Sequence, residues 1–184
     1  MFPMANINPL LDVDLIIKKA KVGDKKKVAD FGCGTNGCFV FGPAKLVGKH
    51  GRSYAVDILK PILENIKRQA KQYNLDNVEI VWSDLEIFKA TKIETGSLDA
   101  GLLINTLYQS HKRFEMLREC VRMVKKGGVF EVVDWKDASS PFGPPTEERV
   151  NMEQLIKACA KLGLKLEEEF KAGDYHFGLV FIKL

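Results

Sequence analysis

The sequence has no apolar run approaching the roughly 18 residues that a membrane-spanning helix needs. Its longest, LDAGLLINTLY, is interrupted by Asp99 and Asn105. Histidine is scarce, with three in 184 residues, and the four cysteines at 33, 38, 120 and 159 show no CxxC spacing. That pattern argues against both a zinc site and a disulfide framework, so no metal is expected and the thiols should be reduced and mostly buried. The start, MFPMANINPLLDVDLII, lacks the basic residues of a secretory signal, and Asp12 and Asp14 break its only apolar stretch. A cytoplasmic location is the expectation. Strong charge imbalance is missing too. The formal net charge is +4, and the one dense basic run, Lys25 to Lys27, falls where a loop enters the first strand. It reads as a solvated turn, and nucleic acid is not an expected partner. No repeat, low-complexity tract or linker divides the chain.

With 46% hydrophobic and 28% charged residues, the chain can build a single core. Residues 9–20 carry Leu11, Leu15, Ile16 and Ile17 at helical spacing. KKVADFG then reads as a strand. After its glycines a helix should run towards Leu46 and Val47, kinked or delayed by Gly42 and Pro43. GRSYAVDI is a second strand, and Pro61 suits the first turn of a helix whose face is Ile62, Ile66, Ala70 and Tyr73. NVEIVWSD, GSLDAGLLINTLY and GGVFEVVDW are three further strands, with a helix on Phe114, Leu117, Val121 and Val124 between the last two. The Pro/Gly loop SSPFGPPTEE leads to a helix on Met152, Leu155, Ile156 and Cys159. LKLEEEF and YHFGLVFIKL, separated by KAGD, should close the chain as an antiparallel hairpin. Short apolar strands alternating with helices predict an α/β fold: a doubly wound, mostly parallel sheet of seven strands with the last one antiparallel.

The stretch VADFGCGTNG, Val28 to Gly37, places Gly32, Gly34 and Gly37 directly after a strand. A bare turn of this kind frees backbone N–H groups and lets a ligand approach more closely than side chains would allow. Alone, GxGxxG is a weak pattern that a tightly packed βα turn also satisfies. Asp57 strengthens it. It ends the second strand 20 residues after Gly37, where a carboxylate can accept hydrogen bonds from both ribose hydroxyls. Asp30, two residues before the first glycine, would repel a pyrophosphate and attract an ammonium group. S-adenosylmethionine carries an ammonium, a sulfonium and free ribose hydroxyls, and it fits these charges better than a dinucleotide.

DFGCGTNG, followed by AVDI and WSDLE, resembles the class I S-adenosylmethionine-dependent methyltransferases, in a Rossmann-like order of elements from about residue 8 to the end. The subgroup it most resembles is the small ubiquinone/menaquinone-biosynthesis type. The resemblance implies that Gly32 and Gly34, with Cys33 and Gly37 in the same turn, border the methionine part of the cofactor and that Asp30 organises its amino group. It implies that Asp57 holds the ribose, that Ile58 packs on the adenine, and that Asp84, with Leu85 beside it, meets the adenine amino group. It also implies that Asn105 lies by the methionine. The sequence reads NTLY at 105–108, where adenine-N6 and glutamine methyltransferases carry N/D-P-P-Y, which speaks against amide or adenine amino methylation. Cys33 and Cys38 alone do not supply the cysteine set of the arsenite branch.

Methyl transfer needs a general base only when the acceptor is protonated at its reactive atom. Ligands bind beyond the carboxyl ends of strands in such sheets, which singles out Tyr108, His111, Asp134, Trp135 and Lys136. His111 reads either as a base or as an exposed residue at a helix start. Tyr108 and Trp135 read either as acceptor-pocket walls or as ordinary packing, and Tyr175 and His176 as an edge-strand pair. Asp84 could equally be a helix cap. The chain is expected to be one methyltransferase domain: 1–25 a leading helix and loop, 26–135 the cofactor-binding core, 136–149 a candidate lid loop, and 150–184 a helix and closing hairpin. Little length remains for recognising a macromolecule, so a small-molecule acceptor is expected, with the protein a monomer or homodimer. The alternatives are a nucleotide-dependent oxidoreductase, a non-catalytic S-adenosylmethionine-binding protein and an RNA methyltransferase.

Overall fold

The computed structural model describes residues 10–136 and 141–184. Seven strands form one sheet: β1 (Lys27–Phe31), β2 (Arg52–Asp57), β3 (Val78–Trp82), β4 (Leu98–Ile104), β5 (Val124–Trp135), β6 (Leu164–Gly173) and β7 (His176–Lys183). Their spatial order is β3-β2-β1-β4-β5-β7-β6. β1 to β5 pair in parallel, and β7 runs antiparallel to both β5 and β6. The order reverses at β1, between β2 and β4, which is where ligands settle in open α/β sheets.

Helices α1 (Val13–Lys19), α2 (Cys38–Val47) and α3 (Lys60–Gln72) cover one face, and α4 (Arg113–Met123) and α5 (Met152–Lys161) the other. Side-chain alternation along β1 shows the two layers. Ala29 and Phe31 enter the large cluster under α4 and α5, whereas Val28 packs with Ile16, Ile17 and Phe39 of α1 and α2. Asp30 shares the side of Val28, beneath the start of α2.

Several local expectations shift. α1 begins at Val13, because Asp12 accepts from the Leu15 N–H and caps the helix there. α2 starts directly after Gly37 and keeps Pro43 inside it, leaving the Phe39 carbonyl without its usual donor. The buried face of α3 is Leu63, Ile66 and Ala70; Tyr73 is exposed, its ring edge-on to Phe41. That of α4 is built on Met116, Leu117, Cys120 and Val121, while Phe114 is exposed. β6 runs through Gly173, so only Asp174 and Tyr175 form the hairpin turn.

The β3–β4 crossover, residues 83–97, carries no helix. It is fixed instead by buried Glu119 of α4, which accepts from the N–H groups of Lys89 (2.7 Å) and Thr91 (3.0 Å) and is paired with Arg122 at 2.9 Å. Arg122 also donates to the carbonyls of Thr91 and Ile93. Burial alone would raise the Glu119 carboxyl; the Arg122 guanidinium and the two backbone donors outweigh it and hold it at about 2. This clamp fixes the segment that begins with Asp84 and Leu85.

Candidate active site

The glycine turn and the carboxyl ends of β1 and β4 line an open cleft of about 270 Å³, just under the lower end of the size range of small-molecule sites. Its floor is built by backbone. Gly32 and Cys33 N–H both donate to the Val56 carbonyl at 2.8 and 3.1 Å, tying the turn to β2. Gly32 has φ +80, and a Cβ there would lie 2.4 Å from Thr106 Oγ1. Gly34, at φ +59, has nothing within 4 Å of where its Cβ would be. That open side is part of the cleft, so a side chain at 34 would occupy ligand space. Gly37 forms the N-cap of α2, which no side chain caps.

Asp30 and Asp57 dominate the electrostatics. Asp30 is 2% exposed and lines the cleft. Burial, and then the charge of Asp57, raise its carboxyl to about 8, so it is mostly neutral at pH 7 in the ligand-free protein. Asp57 bridges two elements. Its Oδ2 accepts from Gly34 N–H at 3.2 Å, and its Oδ1 accepts from Leu59 N–H at 2.9 Å, at the entrance to α3. Oδ2 also accepts from the Cys33 thiol at 4.0 Å, so Asp57 joins the glycine turn to that helix and Oδ1 keeps a lone pair.

The other sequence candidates divide. Cys33 and Asn105 line the cleft. Burial, then Asp30 and Asp57, push the Cys33 thiol far up, so it stays protonated. Asn105 has φ +51; its side-chain Oδ1 is buried with no hydrogen-bond partner among the described residues. Ile58 is 52% exposed at the end of β2, and its carbonyl accepts from Trp82 Nε1 at 2.8 Å. Asp84 is half-buried and accepts from Glu86 N–H at 2.9 Å, in a local turn. The Leu85 side chain is buried in the main core.

Neither Tyr108 nor His111 is among the residues lining the cleft. Tyr108 is half-buried in a one-turn 3-10 helix, Leu107–Gln109, with its N–H donating to Asp134 Oδ2 at 3.2 Å. Burial, then Asp134 and Glu148, raise its hydroxyl. His111 is exposed, just before the N-cap of α4. Asp134 is itself buried, and burial raises it to about 7 despite the N–H groups of Trp135 and Tyr108.

Sequence reasoning missed Leu11, Thr35, Asn36, Cys38, Phe39, Ile104 and Gln109, which complete the cleft wall. Cys38 and Phe39 were within reach of a sequence argument, as the first turn of the helix after the glycines. Of the candidate lid, residues 137–140 lie outside the described residues. The remainder is anchored by buried Arg149, which donates to the carbonyls of Lys136 (2.8 Å), Pro144 (3.1 Å) and Phe142 (3.3 Å). All four cysteines are free thiols, and no group of three or more His, Cys, Asp or Glu among the described residues could hold a metal. No helix there is long and apolar enough to cross a membrane.

A parallel sheet reversing at β1, a glycine turn at that point and acids at the ends of β1 and β2 define a nucleoside-cofactor-binding α/β protein. Residues 29–132 match the family described as Methyltransferase domain, and the chain belongs to it, with the Rossmann-like class I methyltransferase fold. Among solved structures, an S-adenosylmethionine-dependent methyltransferase from Aquifex aeolicus superposes with a TM-score of 0.86 at 21% identity, over 98% of this chain and 94% of that one. An arsenic(III) S-adenosylmethionine methyltransferase from Chlamydomonas reinhardtii gives 0.71 at 20% identity, over 87% and 64%. Among curated proteins, an S-adenosyl-L-methionine-dependent Diels-Alderase of Talaromyces variabilis is 26% identical over 140 residues, 76% of this chain and 48% of that protein. The chain thus spans about half the length of that relative.

Proposed function

We propose that this protein transfers the methyl group of S-adenosylmethionine to a small-molecule acceptor in the cytoplasm, with the cofactor held in the cleft between β1, β2 and β4. The observation that carries this reading is Asp30, a buried carboxyl opening onto the unfilled space above Gly34. A neutral or anionic ligand would leave that acid with nothing to gain, whereas an ammonium draws it into its charged form. In this assignment the turn from Gly32 through Cys33 and Gly34 to Gly37 lies along the methionine part, and Asn105 flanks it. Asp57 uses its remaining lone pair on the ribose hydroxyls. Ile58 and Leu85 border the adenine, with Asp84 at its amino group.

When bound, the sulfonium supplies a methyl carbon already activated for in-line displacement. The acceptor's lone pair forms the new bond to carbon as the carbon–sulfur bond breaks and its electron pair stays on sulfur. The protein's part is to hold both partners in line and to exclude water. Tyr108, next to Gln109 of the cleft wall, keeps its hydroxyl protonated and is not the base. His111 remains the sequence's candidate for a proton acceptor, and His111→Ala tests it: a loss of kcat that shrinks as the pH rises would support that role.

The decisive experiment is a methyl-transfer screen of a metabolite extract with methyl-labelled cofactor, products being identified by mass. Label in one low-mass product supports the proposal. Label appearing only in RNA or protein overturns the small-molecule acceptor, and cofactor binding without any transfer overturns the catalytic assignment.

A further inference from the structure

Beside the cleft, where β5 ends and β7 begins, the structure gathers polar atoms that the cofactor assignment does not use. Trp135 and His176 are cross-strand partners on the face covered by α1. Their ring centroids are 4.1 Å apart. Trp135 is 8% exposed and His176 fully buried, yet the indole Nε1 has no hydrogen-bond partner among the described residues, and the imidazole has none there beyond the Leu10 carbonyl facing one of its nitrogens. Buried polar groups without partners are costly and rare, so two on two stacked rings call for an explanation.

Their surroundings are shaped to hold them. Gly143, at φ +90, lets the Pro/Gly loop lie against the indole; a Cβ there would come within 2.5 Å of the ring. Arg149 anchors that loop. On the hairpin side, a Cβ at Gly173 would sit 2.0 Å from the Leu10 carbonyl and 3.5 Å from His176 Nδ1. Neither ring lines the cleft, and the pair is linked to it through its chain neighbours at two points. Asn105, a cleft residue, donates its N–H to Val133 O at 2.8 Å, which sets it level with Asp134, one residue before Trp135. Leu11, another, directly follows Leu10.

The charges nearby are already engaged. Both Asp134 oxygens accept from backbone N–H groups, of Tyr108 and Trp135. Lys136 Nζ donates to the carbonyl of Asp174 at 3.1 Å. Burial pulls the imidazole down to about 4 against the opposing influence of the Leu10 carbonyl, so it is neutral at physiological pH. Leu11, Phe39 and Ile104 supply apolar wall. What remains is an uncharged set: the indole N–H donor, the imidazole nitrogen turned away from the Leu10 carbonyl and the Asn105 carboxamide oxygen.

We propose that Trp135, His176 and Asn105 form the acceptor-recognition end of the site and select an uncharged acceptor with an apolar body and a hydroxyl group. The proposal rests on the methyltransferase reading above. The ammonium nearby, that of Lys136, is turned to the Asp174 carbonyl in the hairpin turn and not to this set, and an acceptor lacking the hydroxyl leaves the buried polar atoms unsatisfied, the arrangement that rejects wrong ligands most strongly.

The test uses ¹⁵N-labelled Trp82→Phe protein, in which Trp135 is the sole indole, saturated with S-adenosylhomocysteine so that no methyl can transfer. Calorimetry first verifies that the cofactor product binds; its failure would fall on the methyltransferase reading and not on this one. 2-Naphthol, 2-naphthoate and naphthalene are then titrated while the indole N–H resonance is followed. The proposal expects saturable shifts with 2-naphthol and at least tenfold weaker binding of the other two. It further expects His176→Phe to weaken 2-naphthol binding at least tenfold while leaving S-adenosylhomocysteine affinity within twofold. Gly143→Ala, which crowds the indole without removing it, should act in the same direction and serves if His176→Phe does not fold. An indole signal that ignores 2-naphthol, equal binding of 2-naphthoate, or unchanged 2-naphthol affinity in the folded variants would each overturn the proposal.

Discussion

Titrating the cleft with S-adenosylhomocysteine across pH should reveal a proton leaving Asp30. In the ligand-free protein burial and Asp57 hold this carboxyl at about 8, so at pH 7 it is about 90% protonated, and an α-amino group, with a pKa near 7.7–8.0, is about 85% protonated. If the bound pair is carboxylate and ammonium, it keeps one proton of those two, and about 0.8 proton is released per ligand at pH 7. Affinity should accordingly rise close to tenfold from pH 6 to pH 7, level off near pH 8 and decline above it as the amine loses its charge. The assay is calorimetry in buffers of low and high ionisation enthalpy, whose difference in heat gives the proton count. Asp30→Asn should abolish the release and weaken binding at pH 8 by about ten- to a hundredfold, the equivalent of a charge-assisted hydrogen bond of about 1.5–3 kcal/mol. The same shift acts on stability. Because the folded state holds the proton to higher pH than the unfolded chain does, Asp30 makes folding less favourable as pH rises from about 4 to about 8. Asp30→Asn should therefore gain stability relative to wild type across that window. Proton uptake on binding, or an affinity flat between pH 6 and 7, would refute the ammonium–carboxylate pairing.

Asp57→Ala should weaken S-adenosylhomocysteine binding by about ten- to a hundredfold and also destabilise the fold by about 1 kcal/mol, since it loses the bonds to Gly34 and Leu59 as well as the ribose. A 2′-deoxyribose analogue should bind wild type more weakly yet show little further loss on the variant; simple additivity of the two losses would remove the ribose assignment. Glu131 is fully buried with both oxygens unpartnered among the described residues, and burial raises its carboxyl well above the ordinary value although Lys19 opposes this. Its folded pKa exceeds its unfolded one, so stability is lost as pH rises, and Glu131→Gln should be more stable than wild type at pH 8 by thermal melting, with the gap closing towards pH 4. The Glu119–Arg122 clamp has the opposite sign: its contribution is present above about pH 4.5 and lost as pH falls towards about 2. Glu119→Gln should flatten that acid limb of the stability curve and raise amide exchange at Lys89 and Thr91.

The cofactor side of this site was legible because its chemistry is local. Gly32 to Gly37 must follow a strand for the turn to form, and Asp57 falls at the end of the next strand by spacing alone. The seven strands, their mostly parallel sheet and the closing hairpin followed from short apolar strands alternating with helices and a Gly-Asp turn, whereas their spatial order did not. What resisted reading depends on contacts between distant residues. Nothing near Glu119 in sequence announces that it holds the crossover at Lys89 and Thr91, and the helix faces begin at Leu63 and Met116, one residue past Ile62 and two past Phe114, because apolar residues lie on both sides of the true face. His176 illustrates the limit best. In sequence it is an edge-strand residue, and only the antiparallel pairing of β7 against β5 stacks it on Trp135 and buries it.

The most direct measurement is a calorimetric titration of S-adenosylhomocysteine into wild-type protein and Gly34→Val. A Cβ at position 34 would project into open cleft from a left-handed backbone position, so valine there fills the place of the methionine part while the surrounding packing has nothing to displace. The account predicts micromolar binding to wild type and no heat with the variant, which still melts in one cooperative transition. Absence of heat from wild type at millimolar ligand, or undiminished binding to a folded Gly34→Val, would contradict it.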